Sequence, residues 1–273
     1  MAVILLVDNG SVRAAATLQL RKVAANLSAK TALCIHPVSL QHANTIDPAE
    51  LDNKPADIFY DFMRQQLILG QRRFIILPLF FANSKALTSF IPKQVSLLQQ
   101  EFGDFELTTS AVIYPLPEGE ANLAKIIYQH ITDTAIDNKL ALHNIVLVDH
   151  GSPVAAVTAV RQHLASQVQQ KLGNSTVLNQ AVMERRKGRE YDFNGELLEH
   201  WLTKKAQSGE QSAIVCLLFF LPGRHAGVGG DITEICQRIM SQFPDFNIAI
   251  SPLISQHPLL LSILQARLQS ITH

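Results

Sequence analysis

Histidine and glutamate side chains follow three successive apolar segments in the second half of the chain. They are His150, Glu184 and His225. If the segments are parallel strands of one sheet, their carboxyl ends share an edge and bring these side chains together. Two imidazoles and a carboxylate can bind a divalent transition metal or exchange protons near neutral pH. The pattern therefore predicts a metal-binding or proton-transfer site, although a single histidine after a strand is more often structural.

Basic and glycine residues lie beside these three positions. Those expected to contact a substrate are Arg185, Arg186, Arg224, Gly223 and Gly227. Guanidinium groups recognise carboxylates through paired hydrogen bonds, and glycine lets backbone approach a large ligand closely. The cluster favours a ligand with several carboxylates. A solvated basic surface and a simple loop are the alternative interpretations. His257 is a possible fourth member of the site.

The chain contains an internal repeat. Residues 6–17 and 147–158 are identical at eight of twelve positions, at an offset of 141. Leu79-Phe80-Phe81 recurs as Leu218-Phe219-Phe220 at an offset of 139. Two matches in the same order indicate a tandem duplication, with its join near Asp133–Leu142. We therefore expect two lobes, 1–137 and 138–273.

Each repeat alternates short apolar runs with amphipathic segments of helical length. Unbroken apolar runs such as Val3–Val7 are typical of buried strands in parallel sheets. We place the second strand near Thr31–Ile35 in the first half and near Thr176–Val182 in the second. The pattern predicts an α/β fold of two similar lobes, each a four-stranded parallel sheet with helices on both faces.

The polar residues of the second half are not repeated in the first. The expected counterparts of His150, Glu184 and His225 are Asn9, Ser39 and Ala86, the second through a looser alignment. One interpretation is a single site in the second lobe, with the first lobe supplying packing or a wall. Neutral drift in the duplicate would produce the same difference.

Composition excludes several classes of function. Lys plus Arg and Asp plus Glu each number 23, so no basic excess indicates nucleic acid or a membrane surface as a partner. The longest apolar runs have about nine residues, fewer than the roughly 20 of a membrane span. The first residues, Met1–Asp8, show no signal-peptide pattern, and the three scattered cysteines form no disulfide or zinc pattern. We expect a cytoplasmic protein.

Three segments together resemble the sirohydrochlorin chelatases of the CbiX/SirB type. They are residues 149–152 (DHGS), Met183-Glu184 and residues 219–232 (FFLPGRHAGVGGDI), the last being long and specific. The doubled layout also resembles the wider class II chelatases. The resemblance implies ATP-independent insertion of Fe2+, Co2+ or, in some members, Ni2+ into sirohydrochlorin, for siroheme or cobalamin synthesis. It implies no cofactor beyond the substrate metal.

The resemblance also implies roles for the three residues. The histidines at positions 150 and 225 would bind metal and accept protons, and Glu184 would assist. Two-lobe members of the SirB type often keep the site in the first lobe, whereas the second lobe carries it here. Three alternatives stay open: a non-catalytic tetrapyrrole or metal carrier, a protoporphyrin ferrochelatase and, less favoured, a phosphosugar or nucleotide enzyme. The sequence allows either a monomer or a homodimer.

Overall fold

The computed structural model describes residues 2–272, which form two compact units. Within the described residues, unit 1 comprises 2–115 and 260–272, and unit 2 comprises Leu116–Leu259. Each unit is built on its own parallel sheet with helices. The α/β class and the two-lobe organisation are therefore confirmed. No helix within residues 2–272 has the length and apolarity needed to cross a membrane.

Unit 1 contains a four-stranded parallel sheet in the order β2-β1-β3-β4. Its strands are β1 (Val3–Asp8), β2 (Ile35–Ser39), β3 (Arg73–Pro78) and β4 (Glu106–Thr109). Its helices are α1 (Ala14–Thr31), α2 (Phe59–Ile68) and α3 (Ile91–Phe102), the last preceded by a wider helical turn at Ala86–Phe90. The central strand β1 is apolar and almost entirely buried, as expected for a strand covered on both faces.

Unit 2 repeats this order with one additional short strand, β7-β6-β5-β8-β9. Its strands are β5 (Ile145–Asp149), β6 (Leu178–Val182), β7 (Glu196–Leu197), β8 (Ser212–Leu217) and β9 (Asn247–Ile250). Its helices are α4 (Ala121–Asp137), α5 (Ala155–Leu172), α6 (Leu198–Gln207) and α7 (Asp231–Gln242). In unit 1 the place of β7 is taken by a single bridge between Ser39 and Ile58. The predicted four strands are therefore present, with β7 as an addition.

The second strand of unit 1 lies later in the chain than the sequence predicts. Helix α1 continues through Thr31, and β2 spans Ile35–Ser39 rather than Thr31–Ile35. Pro37 lies within β2, and proline normally argues against a strand because it cannot donate a ladder hydrogen bond. It is tolerated here because β2 is at the edge of the sheet.

The last helix of each sequence repeat is grouped with the other unit. Helix α4 belongs to unit 2, where the Cys216 thiol on β8 lies 4.0 Å from the carbonyl oxygen of Ile127. Helix α8 (Leu259–Thr272) falls almost entirely in unit 1, where Arg267 donates hydrogen bonds to the carbonyls of Val112 and Ile113. The compact units therefore differ from a division at 137/138, because α4 packs against β8 and α8 is bound to the segment that follows β4.

Candidate metal and tetrapyrrole site

The three residues singled out by the sequence meet at the carboxyl edge of the unit 2 sheet. Nε2 of His150 lies 3.1 Å from Oε1 of Glu184, and the rings of His150 and His225 have centroids 4.4 Å apart. The side chains of His150 and Glu184 remain 43% and 63% exposed, so a ligand can reach them. The adjacent strands β5, β6 and β8 therefore deliver two imidazoles and a carboxylate to one place.

Gly151 allows the loops after β5 and β6 to approach each other. Its φ is +92°, and a Cβ built on it would lie 2.0 Å from the carbonyl oxygen of Glu184. The N–H of Glu184 donates to the carbonyl of His150, which joins the same loops directly. A side chain at position 151 would therefore force apart the two segments that carry His150 and Glu184.

The hydrogen bonds of His150 define the chemistry of its second nitrogen. Nδ1 lies 3.0 Å from the carbonyl oxygen of Gly151, which can only accept, so Nδ1 carries a proton. In a neutral imidazole, Nε2 then presents its lone pair to the Glu184 carboxylate. Two acceptors facing each other need a cation between them, and either a proton or a metal ion would satisfy both.

Asp231 orients the second histidine. Its Oδ2 lies 2.7 Å from Nδ1 of His225. It begins α7, six residues after His225, and Nε2 of His225 has no hydrogen-bond partner within residues 2–272. A carboxylate on one ring nitrogen fixes the tautomer and strengthens the other as a metal ligand. The sequence pattern alone gives Asp231 no role, although its place at a helix start after a glycine-rich loop is visible in the sequence.

The donor atoms are close together without forming a finished metal cage. Within residues 2–272, no group of three or more His, Cys, Asp or Glu side chains is arranged to hold a metal ion. His150 and Glu184 contact each other, and His225 is bound to Asp231 at Nδ1. The roles of the three residues as metal ligands therefore stay predictions.

The predicted substrate arginines divide into two kinds. Arg185 is held internally, with Nη1 3.1 Å from both the Gly195 carbonyl and the Asp192 carboxylate. Arg186 is exposed and lies over the Tyr191 ring at 5.9 Å. Arg224 has a side chain that is 73% exposed and a contact of only 3.9 Å with a carboxylate. Arg186 and Arg224 are therefore the guanidinium groups available to an anionic ligand.

The two predicted glycines shape the loop that carries His225. The N–H of Gly223 donates to the Ala226 carbonyl, and Gly227 has a φ of +100°. A Cβ at Gly227 would lie 3.0 Å from the Pro222 side chain. Their visible role is to close this tight loop, and contact with a substrate stays a prediction for both.

His257 lies against a different histidine. Its ring is 5.4 Å from that of His130 on α4, and its Nδ1 accepts from the N–H of Leu259. Burial lowers the pKa of His257, and it lowers the pKa of His130 to about 4. No contact joins His257 to His150, Glu184 or His225 among the described residues, so nothing in the geometry adds it to the site.

Equivalent backbone contacts identify the counterparts in unit 1. A Cβ on Gly10 would meet the Gln41 carbonyl, just as one on Gly151 would meet that of Glu184. Gln41 is therefore the counterpart of Glu184, and the expected match to Ser39 is wrong because the offset changes from 141 to 143 between the first two strands. Asn9 and Ala86 keep their expected correspondence.

Comparisons with known proteins agree with this fold. Residues 144–271 match the family model described as CbiX. The SirB structure from Bacillus subtilis with Fe3+ has a TM-score of 0.70 at 13% identity, over 99% of this chain and 95% of that one. SirB from Bacillus subtilis subspecies spizizenii in complex with cobalt has a TM-score of 0.67 at 14% identity, with the same coverages.

A third solved structure is described as CbiX, the terminal enzyme for biosynthesis of siroheme in denitrifying bacteria. It has a TM-score of 0.61 at 15% identity, and 99% of each chain is covered. A comparison with curated proteins gives no match. At these identities the solved structures establish the shared fold.

The chain has a two-unit α/β fold like that of the SirB and CbiX structures. The segment 144–271, which matches the CbiX family model, carries His150, Glu184 and His225. The resemblance to the sirohydrochlorin chelatases that the sequence predicts is thereby confirmed.

Proposed function

We propose that this protein inserts a divalent metal, Fe2+ or Co2+, into sirohydrochlorin without ATP, as a step towards siroheme or cobalamin. The observation that carries the proposal is the meeting of His150, Glu184 and His225 within the segment that matches CbiX. Their imidazole and carboxylate groups suit both of these metals. The choice of metal and of pathway is part of the proposal.

The reaction exchanges one divalent ion for two protons on the macrocycle nitrogens. Metal approaches on Nε2 of His225 and on the His150–Glu184 pair. As the ion passes to the ring, the two protons leave, and His150 and Glu184 are the acceptors in reach. Because Nε2 of His150 faces the Glu184 carboxylate, a proton received there is shared with an anion. Open, exchangeable coordination serves transfer better than a closed structural site.

Surface charge near the site supports a substrate with several carboxylates. Arg186 and Arg224 are exposed on the loops that follow β6 and β8, so they lie beside the carboxyl edge on which the histidines meet. Exposed guanidinium groups bind carboxylates in pairs of hydrogen bonds. A protoporphyrin substrate would make less use of these groups, which favours sirohydrochlorin.

Metallation of sirohydrochlorin by the purified protein tests the proposal. Fe2+, Co2+ and Ni2+ are supplied in turn, and the visible spectrum is followed through many turnovers. His225→Ala should reduce the rate by about 100-fold or more. His143→Ala, an exposed histidine of the same unit, is the matched control and should leave the rate unchanged. Stoichiometric binding without turnover would instead indicate a carrier, and faster metallation of protoporphyrin would indicate a ferrochelatase.

A further inference from the structure

A fully buried arginine lies behind the site in unit 2. Arg161 on α5 is 2% exposed, and its Nε lies 3.3 Å from Oδ2 of Asp149, the residue before His150. This contact is an ion pair, and Nε makes no hydrogen bond within the described residues. The guanidinium donates instead through Nη1 and Nη2. A buried charge is rare unless it is paired in this way.

The equivalent position in unit 1 shows that the fold does not require this charge. Helices α1 and α5 both have 18 residues, and at the offset of 141 Leu20 takes the place of Arg161. Leu20 is 1% exposed. Replacing a buried ion pair with apolar residues is often neutral or stabilising, so packing alone does not account for Arg161.

The guanidinium joins the segments that carry the site residues. Nη1 donates to the Ala181 carbonyl on β6 at 2.9 Å, three residues before Glu184. Nη2 donates to the Asn194 carbonyl at 2.6 Å, at the end of the segment that contains Arg185 and Arg186. With the contact to Asp149, one side chain therefore ties the end of β5, the end of β6 and the loop after β6.

Asn194 completes this connection. Its side chain is wholly buried, and its amide accepts from the N–H of Ser152 at 2.9 Å and donates to the carbonyl of Ser152 at 2.9 Å. It also donates to the Tyr191 carbonyl at 3.1 Å. The loop that begins with His150 is thus clamped to the arginine-bearing segment through side chains that a ligand does not touch.

We propose that Arg161 is a positioning residue that, through Asn194 and Asp149, holds His150 in register with Glu184 and the exposed arginine Arg186. This inference rests on the proposed function of the site. A shift of the His150 loop would separate the donor atoms that must share one ion. Changes of this kind behind metal ligands typically cost 10- to 100-fold in metal affinity or activity.

The arrangement in unit 1 suggests a variant that removes Arg161 without leaving Asp149 unpaired, so that an effect on positioning can be told from an effect on folding. There Asp8, the counterpart of Asp149, accepts a 2.7 Å hydrogen bond from Ser39 Oγ, and the register of the sheets makes Val182 the counterpart of Ser39. The double variant R161L/V182S transplants this arrangement and leaves Asp149 with a partner. V182S alone is the matched control. R161K keeps the positive charge but lacks the two Nη groups that donate to Ala181 and Asn194.

The experiment measures thermal unfolding, Co2+ affinity by absorption in the absence of tetrapyrrole, and kcat and KM for metallation of sirohydrochlorin. We expect R161L/V182S to fold like the wild type, to bind Co2+ at least 10-fold more weakly and to have at least 10-fold lower kcat/KM. R161K should restore part of both. V182S should keep wild-type Co2+ affinity and kcat/KM while unfolding at a lower temperature, because Val182 is fully buried.

Three results would overturn the inference. The first is a folded R161L/V182S that keeps wild-type Co2+ affinity and kcat/KM. The second is a double variant that does not fold, because Arg161 would then be purely structural. The third is a wild-type protein that binds no Co2+. A wild type that binds Co2+ and does not metallate sirohydrochlorin would refute the proposed function alone, since Co2+ affinity would still measure the positioning.

Discussion

The two units place the same backbone around different side chains. Both sheets keep the order of their four main strands, and both put a glycine of positive φ against the carbonyl that follows the second strand. At the edge of these sheets, unit 2 has His150, Glu184 and His225, whereas unit 1 has Asn9, Gln41 and Ala86. The difference shows that the framework is independent of the chemistry placed on it.

The loops after the third strand differ as well. In unit 2, residues 222–230 form a glycine-rich loop before α7, and Asp231 at its end holds His225. In unit 1 the helical turn begins already at Ala86, the counterpart of His225. Chemistry in unit 2 therefore depends on a local change of backbone as well as on three side chains.

Exchanging the side chains of the units should have the largest effect. The triple variant H150N/E184Q/H225A gives unit 2 the residues of unit 1 and should abolish metallation, by about 1,000-fold or more, with little change in thermal unfolding. The reverse variant N9H/Q41E/A86H should gain no activity, because unit 1 lacks the glycine-rich loop and a counterpart of Asp231. Metallation by the reverse variant, with the site of unit 2 disabled, would contradict this account.

The glycines should show that the backbone is equally constrained in both units. A Cβ would lie 1.8 Å from the Gln41 carbonyl at Gly10 and 2.0 Å from the Glu184 carbonyl at Gly151. We expect G10A and G151A each to lower the free energy of unfolding of their unit by roughly 3 kcal/mol, measured by hydrogen exchange of strand amides. Only G151A should also reduce metallation. Gly209 provides a control for backbone strain alone. Its φ is +83°, but a Cβ built on it would meet nothing within 4 Å, so G209A adds backbone strain without a steric clash.

Neutralising the two buried carboxylates should have opposite effects on stability at pH 7.5. Burial raises the pKa of Asp8 from 3.8 to about 6, against the Ser39 hydrogen bond. The folded state therefore binds more protons than the unfolded state between about pH 4 and 6, and stability falls as pH rises through that window. D8N should remove this fall and stabilise unit 1 at pH 7.5 by no more than about 3 kcal/mol.

The matched variant D149N should destabilise unit 2 at pH 7.5, because it leaves the buried Arg161 without its anion. Burial raises the pKa of Asp149 also, while Arg161 opposes the rise. Hydrogen exchange follows each unit separately, and Trp201, the single tryptophan, reports on unit 2 by fluorescence. Equal responses of D8N and D149N would show that the arginine makes no difference.

The smallest effect is expected at the residue that orients His225. D231N keeps the size of the side chain and weakens the hydrogen bond to Nδ1, so Co2+ affinity should fall by about 10- to 100-fold. E234Q, in the same first turn of α7, is the control and should bind Co2+ like the wild type. An unchanged affinity of D231N would remove Asp231 from the site.

The sequence predicts the repeated features well, because local patterns encode them. The apolar runs, the glycines and the polar residues after each strand can all be identified directly from the sequence. Arg161 and Asn194 are not, since an arginine within a helix normally indicates a solvent-facing side chain and only packing shows it buried. The strand around Pro37 and the match of Glu184 to Gln41 also depend on sheet register, which two inserted residues alter.

The grouping of α4 with unit 2 and of α8 with unit 1 has a consequence for synthesis and for fragments. Unit 1 includes residues 260–272, where Arg267 bonds to the carbonyls of Val112 and Ile113, so we expect unit 1 to be completed only after the ribosome has made the whole of unit 2. A fragment cut at 137/138 would leave α4 behind and expose the apolar surface beside Cys216. A self-sufficient second unit would have to begin near Leu116, and a self-sufficient first unit would need α8 joined to it by a new linker.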